Sequence, residues 1–126
     1  MTTFVLLTDS VHTSAALCDY LVDRLDGDDT VHAVASLLDT AASADDRRDG
    51  EDALNAVYAR LGAVATVETH RLDRGNTPAA DVGAVAADVG ADEIVLEAGG
   101  PSEGIGDVTE GVVASADCPV VVVPPV

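Results

Sequence analysis

Residues 77–97, TPAADVGAVAADVGADEIVLE, decide the fold. Thr77 is a capping residue, and Pro78 after it suits the first position of a helix, where no N–H is needed. Val82, Val85, Ala86 and Val89 then recur at helical spacing and form one apolar face. An apolar run bounded by Glu93 and Glu97 comes next and reads as a strand. The same alternation extends both ways along the chain. Phe4 to Thr8, Val31 to Leu37, Val64 to Arg71 and Val120 to Val123 read as strands. Between them, Leu17, Cys18, Leu21, Val22 and Leu25 mark a first helix that Thr13 or Ser14 can cap. Leu54, Val57, Tyr58 and Leu61 mark a second, and Val108, Val112, Val113 and Ala116 a fourth.

Strict β-α alternation with right-handed crossovers requires a parallel sheet covered by helices on both faces. The expected fold is therefore a doubly wound, flavodoxin-like α/β domain, a five-stranded parallel sheet in the order 3-2-1-4-5. A length of 126 residues suits one such domain over residues 1–126 and not two. The polar stretch Asp39 to Asp52, DTAASADDRRDGED, reads as a mobile loop leading into the second helix.

Composition narrows the setting. The chain carries 23 acidic residues against 6 basic ones, all Arg, for a formal net charge of −17. Such self-repulsion opposes folding in dilute buffer, but at roughly 1 M salt the Debye length shrinks to about 3 Å and screens it. A salt-rich cytoplasm is the expected setting. With no basic stripe to neutralise phosphates, nucleic-acid binding is not expected. No apolar run is long enough for a bilayer and the start has no charged signal region, so neither a membrane partner nor export is expected. The two cysteines, Cys18 and Cys118, form no CxxC pair and read as buried thiols.

The ending Pro119 to Val126, PVVVVPPV, supplies the last strand, and a terminal strand tends to sit at a sheet edge. A bare apolar edge invites pairing. Antiparallel pairing with its own copy would close a two-fold homodimer; alternatively, Pro124 and Pro125 blunt the edge.

Ligands of open α/β sheets bind beyond the carboxyl ends of the strands, where the strand order reverses. That places Thr8-Asp9-Ser10 and the glycine-rich Ala98 to Gly106 beside any crevice. Glycines ahead of a helix N-terminus can cradle an anion, or they can simply permit a tight turn.

Four stretches carry a family resemblance: FVLLTDS with His12, Thr13 and Ser14 entering a helix, the Gly75-Asn76-Thr77-Pro78 turn, GADEIVLEAGG at residues 90–100, and the ending ADCPVVVVP. In this order they resemble the universal stress protein family along nearly the whole chain. Some members of that family bind ATP through a glycine, two residues, a second glycine, nine residues and a third glycine followed by Ser or Thr. Their first-strand aspartate lies near the nucleoside. By this resemblance Asp9 matches the aspartate, Gly100 the second glycine and Gly106 the last, with Asp107 at the hydroxyl position.

The departures from that pattern bear on function. Glu97 replaces the first glycine, Pro101 follows Gly100, Asp107 replaces the hydroxyl residue, Ser10 and Val11 replace the usual Gly-Ser, and the loop is shorter than the family spacing. Pro101 has no N–H to donate, and Glu97 and Asp107 bring negative charge to the place of a polyphosphate. No cofactor is expected, with ATP or AMP as the alternative. His32 and His70 fall on adjacent strands as a pair with no evident third metal ligand, and they read as satisfied strand residues. Ser10, His12 and Asp9 are too close in sequence for a hydrolytic triad. The expected function is a non-catalytic stress-response or regulatory homodimer with a degenerate nucleotide crevice and an unidentified protein partner. A nucleotide-binding switch with a shortened phosphate loop is the alternative, and an enzyme using Asp9 or His12 the third reading.

Overall fold

The computed structural model describes residues 1–36, 44–72, 77–98 and 107–124. The elements run β1 (Thr3–Leu7), α1 (Val11–Leu21), β2 (Thr30–Ser36), α2 (Ala44–Leu61), β3 (Thr66–Leu72), α3 (Pro78–Val89), β4 (Glu93–Glu97), α4 (Asp107–Ser115) and β5 (Val120–Val123). All strand pairs are parallel and the sheet order is β3-β2-β1-β4-β5, the doubly wound order expected from the alternation.

Side chains alternate across the sheet, so each central strand feeds two cores. Phe4, Leu6, Val31, Ala33, Ala35 and Val95 pack with Leu17, Leu21, Leu54, Val57 and Leu61 of α1 and α2. Val5, Val34, Ile94 and Leu96 pack with Val82 and Val85 of α3 and Val112 of α4 on the other face. The central strands are buried on both faces, which is why they read as continuous apolar runs.

The chain marks its own joints. Thr77 caps α3, its hydroxyl accepting from Ala80 N–H, with Pro78 at the first helical position as the sequence indicated. Gly90 ends the same helix at φ 64°, ψ 51°, a left-handed conformation that costs glycine least. Before β2, Asp29 accepts the N–H of Thr2 at 2.7 Å on Oδ1 and that of Asp26 at 2.9 Å on Oδ2. The buried carboxylate thus ties the turn to the start of β1, and these backbone donors, Asp26 first, hold its pKa below the ordinary value.

Several expectations need correction. The cap of α1 is Ser10, whose hydroxyl accepts from Thr13 N–H at 3.1 Å, and not Thr13 or Ser14. The polar stretch before the second apolar face is largely helix, because α2 already begins at Ala44. Once Ala53, Val57 and Leu61 are docked, adding turns costs little, and the acidic residues near the helix start suit its dipole. Arg71 on β3 pins this extension through an ion pair to Glu51. Residues 39–43 of that stretch lie outside the described residues. Tyr58, read as core, is 61% exposed, and Val22, Val108 and Val113 also lie outside the core.

Candidate functional site

Strand order reverses between β1 and β4, and among the described residues the β1–α1 connection lies at the carboxyl ends of these strands. Thr8 N–H continues the ladder onto Val34 O at 2.9 Å, leaving Asp9 exposed at the rim. Ser10 then takes extended backbone angles, φ −153° and ψ 159°, which start α1 and carry Thr13 back over the end of the sheet.

Thr13 is the meeting point. Its Oγ1 lies 3.2 Å from Asp9 Oδ1 and 3.3 Å from Glu97 Oε1, while Ser10 donates its hydroxyl to it at 3.1 Å. A threonine hydroxyl has one hydrogen, so it can satisfy only one of the two carboxylates fully. Glu97 Oε2 is buried and has no hydrogen-bond partner among the described residues. The arrangement concentrates negative charge where β1 and β4 end. From α4, the buried Thr109 donates to Glu97 O at 3.4 Å, tying that helix to the strand end.

Beneath the rim runs a hydroxyl relay. Ser14 donates to Ala53 O at 2.7 Å, Thr8 donates to Ser10 O at 3.1 Å, and the two hydroxyls stand 2.7 Å apart, so two hydrogens are shared among three contacts. The relay fastens β1 and α1 to α2. Among the described residues, the Ser10 hydroxyl bonds to Thr13 and the Ser14 hydroxyl to Thr8 and Ala53. His12 is exposed in the first turn of α1.

Of the residues matched to the nucleotide motif, Asp9 stands at this rim. Asp107 is the first residue of α4, with its side chain outside the described residues, and Gly100 and Gly106 also lie outside them. The sequence marks Glu97 as a substitution and Thr13 as a cap, but it does not reveal their contact. No local signal reports it, because the two residues are 84 positions apart.

Elsewhere, burial raises the Cys18 thiol to about 11, and burial, with Asp117, Asp92 and Glu93 nearby, also raises that of Cys118. Both cysteines are free and protonated at neutral pH, and Cys118 is only partly buried. Among the described residues, no cluster of three or more His, Cys, Asp or Glu could hold a metal ion. Nor is any helix among them long and apolar enough to cross a membrane.

Sheet order and crevice together define a doubly wound α/β domain with its open end at the β1–β4 junction. Residues 1–124 match the model of the universal stress protein family, and the chain belongs to that family. No curated protein matches it by sequence. It is similar in structure to a universal stress protein from Archaeoglobus fulgidus, with TM-score 0.76, 24% identity and 98% of each chain covered. A second Archaeoglobus fulgidus structure, in complex with dAMP, gives TM-score 0.73 at 23% identity, again over 98% of each chain. A universal stress protein family protein from Arabidopsis thaliana with AMP bound gives TM-score 0.74 at 16% identity, covering 100% of this chain and 93% of that one.

Proposed function

We propose that this universal stress protein is a non-catalytic regulatory module, acting as a homodimer in a salt-rich cytoplasm, whose crevice disfavours polyphosphate. The observation that carries the reading is the pair of carboxylates, Asp9 and Glu97, both within reach of the single Thr13 hydroxyl. A phosphate charge about 4 Å from a carboxylate meets about 1 kcal/mol of repulsion at the dielectric of water and about 4 kcal/mol near a protein surface. Concentrated salt screens distant charges, but it weakens such close contacts much less.

Copurified ligand tests the reading. Protein purified in concentrated salt and then denatured should release no ATP by mass spectrometry; stoichiometric ATP would overturn the proposal. A second reading, an adenine-nucleotide switch, is favoured by the family members whose structures hold dAMP and AMP. Copurified AMP would support it, and Gly100→Val should then abolish binding.

The dimer reading rests on β5. Pro119 O accepts from Ile94 N–H at 3.0 Å and Val123 O from Ala98 N–H at 2.8 Å, so by strand alternation Val120 and Val122 turn their backbone groups away from β4. Val120, Val121 and Val122 are only half-buried. Pairing of this outer edge with a second copy would cover it. Val122→Pro removes an outward N–H while leaving the β4 ladder intact, and light scattering should then report a monomer in place of a dimer; a dimer in both proteins would sink this reading.

A further inference from the structure

On the face of the sheet covered by α3, the edge formed by β2 and β3 holds an imidazole pair. His32 is buried on β2, and in the parallel register it stands opposite Glu68 while Val34 stands opposite His70. His32 Nδ1 and His70 Nε2 are 3.0 Å apart, with the ring centroids separated by 5.2 Å and the planes tilted by 38°. The rings meet nearly end to end, nitrogen to nitrogen. A metal about 2.1 Å from each nitrogen would need both lone pairs turned towards a common third point, so this is hydrogen-bond geometry. Glu68 Oε2, 3.4 Å from His32 Nδ1, favours a hydrogen on that nitrogen, which His32 then donates to His70 Nε2.

We propose that His32 and His70 form a one-proton latch across the β2–β3 edge, closed while the pair carries at most one extra proton and opened by the second. The proton inventory carries the inference. In the neutral pair, the four ring nitrogens hold two hydrogens, and one of these lies between the rings. A third hydrogen occupies an outer nitrogen and leaves the bridge intact, because an imidazolium still donates to a neutral imidazole. A fourth puts N–H groups on both facing nitrogens, which cannot stand 3.0 Å apart. Partly exposed His70 is the ring that turns away, which removes the side-chain tie between β2 and its edge strand.

Among the described residues, the charged surroundings are few. Glu68 faces the pair from β3, Val5 is the neighbour of His32 on β1, and α3, packed over this face, carries Asp81 and Asp88. Burial lowers the pKa of His32, Glu68 opposes that shift, and His70 adds to it. Because the folded value lies below the ordinary 6.5, the unfolded chain takes protons more readily. This part of the stability is complete above about pH 6.5 and is lost as the pH falls below it.

Imidazole NMR of the intact chain in concentrated KCl between about pH 8 and 5, with amide exchange read in parallel, tests the latch. Protonation should occur in two separated steps that belong to the pair. Exchange at Val67 to Arg71, corrected for its intrinsic rate, should accelerate about tenfold per pH unit across the second step only. His70→Gln, whose amide oxygen accepts the same hydrogen bond, should remove both the second step and the acceleration. The proposal is overturned if the two rings titrate with one shared midpoint, if His70→Gln accelerates like the wild type, or if all strands lose protection together before the second step.

Discussion

Thr13 on α1 and Glu97 at the end of β4 meet at 3.3 Å, hydroxyl to carboxylate, across the point where the strand order reverses. The same hydroxyl lies 3.2 Å from Asp9, so the helix start is stitched to both strand ends by a group that cannot satisfy both partners at once. The negative charge of the chain is thereby carried to the ends of β1 and β4 by two side chains.

Glu97→Gly supplies the glycine that the family resemblance places at this position. Removing a charge that opposes phosphate by one to a few kcal/mol should tighten AMP binding about fivefold or more, since about 1.4 kcal/mol is a factor of ten. Calorimetric titration of AMP into wild type and variant checks it. Equal affinities would mean that Glu97 does not govern access.

Ser14→Ala breaks the relay from Thr8 to Ala53 O. The side chain is fully buried, so the orphaned partners lose hydrogen bonds that water cannot replace. Stability should fall by about 1–3 kcal/mol in denaturant melts, with the slope unchanged. A change within about 0.3 kcal/mol would show that the relay carries no stability.

Asp29 makes acid stability titratable. Its folded-state pKa lies below the ordinary 3.8, so its contribution is complete above that value and is lost as the pH falls through the folded value. The melting-temperature gap between wild type and Asp29→Ala should stay constant from pH 7 to about 5 and shrink below pH 3.8. A gap unchanged at pH 3 would contradict this assignment.

A net charge of −17 should make the fold depend on salt. The melting temperature should climb steeply as KCl rises from about 0.1 M towards 1 M, where the Debye length falls from about 10 to about 3 Å. A flat response would remove the argument for a salt-rich setting.

Legibility in the sequence was a matter of range. The Thr77-Pro78 start of α3 and the apolar runs of β1, β2 and β4 are local signals, and with the crossover rule they lead to the sheet order. The start of α2 was hidden because its first turns are charged and are stabilised by the docked later turns of the same helix and by Arg71 from another strand. The exposure of Tyr58 was hidden too, since helical spacing alone does not say how wide the buried stripe is. The position of Asp9 just after the first strand was legible locally, whereas the joining of Thr13 to Glu97 depends on tertiary structure.

Titrating Mg-ATP into the wild-type protein in concentrated KCl, with binding heat and melting temperature read together, tests the polyphosphate-disfavouring crevice most directly. The expected result is no saturable heat and no rise in melting temperature at millimolar nucleotide. Saturable micromolar binding with a rise of several degrees would contradict it.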